Sequence, residues 1–340
     1  MIIIIEKIDE IDKLSPSQES ALECLLWAYG RGNQVLWMPI GIIEKLIKKT
    51  CFSDYAQRAL LDLKTFSLFS KNLLRSEFNF QIIVDFSDKH KITSSDTGLT
   101  VGYEIIQDEK FLLEPILLTE NEIDADVYTL FAKAIFSSRK NLNLAYEIRI
   151  DPHGGGGSDT IKTFERLLRQ NRLFLCLLDS DTKHPKGPLG ETAKHFAMYP
   201  TGLNRNYRLE ILNAHEIENL VPTSIIKQLY PKDFHGHLFQ HATPSKFKRY
   251  PDHKNGFSVE QAKNQDAHHG DNFWKDFYHL GDRAYICAKF SSLIENTKHF
   301  LESTSTYKIQ EFLDRDIDEE LFMISHIIAN WGVKLKRRLS

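Results

Sequence analysis

Four consecutive isoleucines, Ile2–Ile5, are followed at once by charged residues. That length and that ending fit a first β-strand rather than a targeting segment. Leu22, Leu25, Leu26 and Tyr29 then recur at helical spacing behind a Ser15 cap and Pro16, with Gly30 as the stop. Residues 53–75 carry a longer helical pattern. Residues 80–86 and 99–106 read as strands joined by a polar loop. We expect residues 1–110 to form one α+β unit, whose role nothing in its sequence reveals.

From residue 112 the pattern changes to alternation of strand and helix. "LEPILLTE" (113–120) reads as a strand. The helix expected over 121–138 carries Ile123, Val127, Leu130, Phe131, Ala134 and Ile135 on one face. "LAYEIRID" (144–151) reads as a second strand and "HGGGG" (153–157) as a glycine loop. A second helix over 158–170 would be capped by Ser158 or Asp159. "LFLCLLDSD" (173–181) is the third strand and "YRLEIL" (207–212) a fourth. Such alternation predicts an α/β fold, a parallel sheet flanked by helices, with the continuous apolar run "FLCLL" at its centre. Residues 225–280 are loop-rich, and 280–333 return to helix with apolar Phe312, Leu321, Ile324 and Ile328. The expected division is 1–110, a catalytic domain at 111–280 and a C-terminal helical region at 281–340.

Composition narrows the class without naming it. A net charge of −3 over 340 residues excludes a global basic field, so any nucleic-acid binding needs a local patch. Four scattered cysteines without CxxC spacing suit a reducing cytoplasm. No apolar run approaches bilayer length, so we expect a soluble protein without membrane attachment.

The chemistry gathers at three strand ends. In an open parallel sheet, ligands sit beyond the carboxyl ends of the strands. Glu120 ends the first strand, Gly154–Gly157 follow the second, and Asp179 and Asp181 end the third. Two carboxylates two positions apart on a strand face the same side and repel, which calls for a cation. Hard ions such as Mg²⁺ take such oxygen ligands and leave waters for a phosphate to displace. Glu120 is a further ligand or a general acid/base. The glycines are not a phosphate-binding P-loop, because no Lys-Ser/Thr follows them. His235, His237 and His241 have no cysteine near them and read as a polar loop rather than a zinc site. The basic tail Lys334, Lys336, Arg337 and Arg338 reads as solvated, although such a tail can touch phosphates.

"LLTENEIDADVY", "DPHGGGGSD" and "FLCLLDSD" together resemble, in order and spacing, a Toprim domain. "AHEIENLVP" (214–222) and "DHKNGFS" (252–258) resemble later motifs of its OLD-like (overcoming lysogenization defect) branch. The resemblance covers roughly residues 112–260. It implies a divalent-metal-dependent nuclease that uses Mg²⁺ or Mn²⁺ and acts in a bacterial anti-phage setting. With no P-loop in this chain, it would work beside a separate ATPase subunit, and an oligomer is compatible with it. It implies Glu120 as general base or metal-associated carboxylate and Asp179 and Asp181 as metal ligands. Glu216 or Glu218 would complete a second metal site, Lys254 would stabilise the transition state, and Asp124 would face the site from one turn beyond Glu120. Asn121 stands where the family's motif carries glycine. Two other readings stay open. "LLDSDTK" also resembles the first motif of haloacid-dehalogenase-type phosphatases, with Asp179 as nucleophile and Asp181 as acid/base. The third reading is a silent Toprim-like scaffold that binds nucleic acid or a partner.

Overall fold

The computed structural model describes residues 1–232, 236–336 and 339. The N-terminal unit contains β1 (Ile2–Ile4), α1 (Pro16–Gly30), β2 (Val35–Trp37), α2 (Ile40–Ile47), α3 (Asp54–Glu77), β3 (Gln81–Asp85), β4 (Ile92–Ser95) and β5 (Gly98–Gly102). Helix α1 begins as expected: the Ser15 hydroxyl accepts from the Gln18 N–H, and the Gln18 side chain accepts from the Ser15 N–H. The sheet order is β2-β1-β3-β5-β4, and only β4 runs antiparallel to its neighbour. The expected α+β unit is therefore α/β. Strand β4 lies inside the stretch read as a polar loop, and most of it is exposed, so it has no apolar alternation to reveal it.

The second sheet is built from β6 (Ile116–Thr119), α4 (Glu122–Ser137), α5 (Lys140–Ala145), β7 (Tyr146–Ile148), β8 (Asp151–Gly154), α6 (Thr160–Arg169), β9 (Phe174–Leu178), α7 (Glu191–His195), β10 (Gly202–Asn204) and β11 (Tyr207–Ile211), with β7 leaving it for another partner. Its order is β10-β11-β9-β6-β8, parallel except for β10. All five residues of β9 are buried at the centre. Ile116, Leu118, Phe174, Cys176 and Leu178 face a small core with Phe164 and Leu167 of α6. Leu117, Leu175 and Leu177 face the large core shared with α4 and the N-terminal unit. This alternation puts hydrophobic side chains on both faces, which is why the strand reads as a continuous apolar run.

The remaining elements are α8 (Thr223–Leu229), α9 (His237–Gln240), α10 (Pro244–Lys248), β12 (Phe257–Ser258), α11 (Val259–His269), β13 (Tyr285–Cys287), α12 (Leu293–Ser303), α13 (Thr306–Gln310), α14 (Glu319–Gly332) and β14 (Val333–Leu335). The single strand expected over 144–151 is two. Strand β7 pairs antiparallel with β14, and β8 joins β6, with Pro152 tolerated because β8 is an edge. Lys334 is consequently no solvated tail residue. It is 2% exposed and donates to Glu114 Oε1 at 2.5 Å. His235, Arg337 and Arg338 lie outside the described residues.

Helices α12, α13 and α14 pack on α4. This explains why α4 buries Ala125, Tyr128, Ala132 and Phe136 beyond the single stripe expected. Lys298 of α12 pairs with Asp126 at 2.6 Å. Trp331 of α14 stacks on Phe80 of the N-terminal unit with ring centroids 4.4 Å apart. The C-terminal region thus covers the central helix instead of extending from it. No described helix is long and apolar enough to cross a membrane.

Candidate functional site

Parallel pairing of β6 with β9 brings their carboxyl ends together. Glu120 follows β6, and Asp179 and Asp181 follow β9. Each turn is held by its neighbours. Gly155 N donates to Thr119 O at 2.8 Å and Gly156 N to Glu120 O at 3.0 Å, so the glycine loop braces the Glu120 turn. A side chain at Gly155 would meet Thr160 Oγ1 at 2.3 Å, so this close approach needs glycine. Asn121, the N-cap of α4, is extended with φ −123°, so the position asks for no left-handed backbone and the asparagine is unstrained there. The capping expected of Asp159 at α6 is not made by its side chain, which instead bonds Lys162 at 2.7 Å.

Asp181 has φ +53°, a conformation that Asp adopts more readily than most residues. Its N–H donates to His215 O at 2.9 Å, and the Ser180 hydroxyl donates to Ala214 O at 2.6 Å. These bonds tie the Asp179–Asp181 turn to the segment that follows β11. That segment carries Glu216 and Glu218. It is held in turn by Asn219, whose amide donates to Lys248 O and Pro251 O at 2.8 Å each, and by Glu320 of α14, which accepts from Asn213 N at 2.6 Å. Lys254 Nζ lies 3.2 Å from Glu216 Oε2 and 3.0 Å from Glu218 Oε1.

All seven residues singled out in the sequence are therefore gathered at one sheet edge. The carboxylates bearing on Asp179 are Asp124, Glu120, Glu218 and Glu216. Burial, reinforced by them, pushes the Asp179 carboxyl well above the usual range. Burial also raises Glu120, reinforced by Asp181, while a 3.2 Å hydrogen bond from Thr192 Oγ1 to its Oε2 works the other way. Asp124, 7% exposed in the first turn of α4, is raised by burial against the Asn121 amide and Lys254. Burial raises Glu218 to about 7 even with Lys254 alongside.

Sequence reading missed the supporting residues. Thr192 reaches Glu120 from α7 across 72 positions, and no local pattern announces it. Tyr128 lies one turn beyond Asp124 with its hydroxyl buried and without a hydrogen-bond partner, and Asp179 and Asp124 are the charges that bear on it most. It lies one helical turn from Asp124, a spacing from which it could have been found.

The chemistry of the donors fits a hard divalent cation: the set is all oxygen, largely buried and mutually repulsive. Glu120 Oε1 and Glu218 Oε2 are buried without hydrogen-bond partners, as atoms awaiting a cation or a proton would be. Among the described residues, however, no group of three or more His, Cys, Asp or Glu side chains is arranged to hold a metal ion as it stands. His241 instead lies 3.5 Å from Asp276 and packs on Phe247 and Phe277, in keeping with a structural role. A scan against models of protein families, a search of curated proteins and a search of solved structures returned no match.

Proposed function

We propose that the chain is a divalent-metal-dependent nuclease with a Toprim-like core of the OLD-like branch, cleaving phosphodiester bonds of DNA or RNA. The observation that carries this reading is the crowding of Asp124, Glu120, Glu218 and Glu216 around the buried Asp179. Crowded carboxylates without a divalent ion would repel a phosphodiester. Asp179 and Asp181 would hold one ion, and Glu216, Glu218 and Asp124 would complete the set after small side-chain movements. Bound there, Mg²⁺ or Mn²⁺ supplies positive charge against the phosphoryl oxygens.

The protein's own groups divide the remaining work. Glu120 has one oxygen occupied by Thr192 and the other free and buried. Its raised pKa suits a group that accepts a proton during the reaction. Lys254 pairs with both Glu216 and Glu218 and would meet a phosphate once it leaves them. The phosphatase alternative uses Asp179 and Asp181 but gives Glu216 and Glu218 no task. The anti-phage setting and a separate ATPase partner follow from the resemblance, and the cytoplasmic location from the scattered cysteines.

Incubating the purified protein with Mg²⁺ or Mn²⁺ and a panel of single- and double-stranded DNA and RNA tests the reading. Cleavage that EDTA abolishes is expected. Hydrolysis of small phosphate monoesters with intact nucleic acid would favour the phosphatase. Nucleic-acid binding without cleavage would favour the scaffold.

A further inference from the structure

Lys254 is held in an unusual way for a surface lysine. The backbone beneath it is fixed on both sides. Asn255 N and Nδ2 donate to the two carboxylate oxygens of Asp252 at 2.8 and 2.9 Å. His253, fully buried, accepts from Phe290 N at 2.9 Å through its carbonyl. Gly256 then turns with φ +80°, a left-handed backbone that favours glycine, close against Tyr285 and Lys289. The side chain itself is 49% exposed, and its ammonium reaches inward to Glu216 and Glu218. An anchored base with a half-exposed, flexible stem is an arm that can leave without disturbing the loop.

The ammonium also sits where a cation is needed. Glu218 is 2% exposed, and among the described residues no other Lys or Arg pairs with it or with Glu216. Without Lys254 these two carboxylates would face each other and Asp124 uncompensated. With it, the pair is partly compensated by one charge that is compact, strongly hydrated and carried on a flexible stem.

We propose that Lys254 is the built-in counter-ion of the metal-free site, displaced from Glu216 and Glu218 when a divalent cation enters; this rests on the metal reading above. Metal loading is then an exchange of one bound cation for another. The released ammonium becomes free to meet a phosphate at the moment the site is loaded.

Mn²⁺ binding to the full chain, measured by calorimetry and by the free-Mn²⁺ resonance signal, tests this without reference to cleavage. Lys254→Met and Lys254→Gln, checked for folding by circular dichroism, should bind Mn²⁺ tighter than wild type. The gain should be on the order of 5- to 10-fold, since a half-exposed ammonium competes weakly. In parallel, Lys254 of the wild type should be modified faster by an amine-acetylating reagent when Mn²⁺ is present, read by peptide mass mapping. Both results are expected together. The labelling arm needs no variant and decides alone if the variants fail to fold. Wild-type protein that binds Mn²⁺ while the variants bind it no tighter, or whose Lys254 labelling ignores Mn²⁺, overturns the exchange and leaves the metal reading standing. No Mn²⁺ binding by any of the three proteins removes the metal reading and the exchange with it.

Discussion

Glu218→Gln in the metal-free protein separates the electrostatic cost of the site from its use. The side chain is buried, and burial raises its pKa from 4.5 to about 7 against the pull of Lys254. The folded protein therefore binds this proton more tightly than the unfolded chain. Below pH 4.5 the group is protonated in both states and costs nothing. Stability falls as pH rises from there through about 7, and above that the full cost stands. Each pKa unit is about 1.4 kcal/mol, so the cost at pH 8 is about 3 kcal/mol. Glutamine removes it, and the pull of Lys254 is already contained in the shift, so its loss needs no separate allowance. The variant should thus be more stable than wild type by about 3 kcal/mol at pH 8, or roughly 4 °C in melting temperature for a chain of this size. The gap should fade to below about 1 kcal/mol near pH 5. Thermal and urea denaturation in EDTA at the two pH values measure it. A gap of equal size at both, or a variant less stable at pH 8, would mean that packing rather than charge governs this position.

Four further substitutions and a control probe the proposed chemistry. Glu120→Gln keeps the size and one acceptor but cannot take a proton, so nucleic-acid binding should persist while cleavage falls by about 10²- to 10⁴-fold; metal titration of the variant distinguishes a base from a ligand, and undiminished cleavage would remove Glu120 from the site. Asp179→Ala and Asp181→Ala should each abolish Mg²⁺-dependent cleavage. Metal-free Asp179→Ala should also melt higher at neutral pH, because the raised pKa of Asp179 marks its charge as destabilising in the fold; wild-type cleavage by both would end the metal hypothesis. Gly190→Ala would put a methyl group 2.0 Å from Asp181 Oδ2, so the carboxylate must move, at a cost of about 1–3 kcal/mol and with weaker Mn²⁺ binding. Gly41→Ala, where nothing lies within 4 Å, serves as the control and should leave Mn²⁺ affinity unchanged.

The parts of the fold that were legible are those in which short-range sequence decides the outcome. Ser15 with Pro16, the apolar run of β9 and the acid-rich start of α4 are local signals, and each lies where the pattern placed it. What was illegible depends on partners far along the chain. Residues 144–151 show one extended apolar pattern, but Tyr146–Ile148 pairs with a strand nearly 190 positions later while Asp151–Gly154 pairs with β6. Nothing in a period-two pattern names the partner. Lys334 reads as part of a basic tail because its ion partner, Glu114, is 220 positions away. The site shows the same division. Glu120, Asp124, Asp179 and Asp181 belong to strand ends and a helix start, whereas Thr192, Tyr128 and Asn219 enter through packing alone.

That division has a physical consequence for how the site is held. Four of its carboxylates stand at the ends of paired strands or in the first turn of α4, where the backbone ladder fixes them. Glu216, Glu218 and Lys254 stand on loops instead, and their positions depend on side chains. Asn219 clamps the acidic segment to residues 248–251, and Glu320 ties Asn213 to the start of α14. Lys248 is buried 3.8 Å from Asp318, an ion pair that anchors the same segment to the residue preceding α14. On the other side, His184 bonds Asp266 at 3.0 Å, and Asp266 also accepts from Phe273 N, Trp274 N and the Tyr278 hydroxyl. The loop leaving Asp181 is thereby fastened to α11 and the segment after it. Crowded carboxylates repel and work against the fold, so a site of this kind persists only where surrounding contacts over-determine it. Here many of those contacts come from the region after residue 210, which packs around the sheet edge.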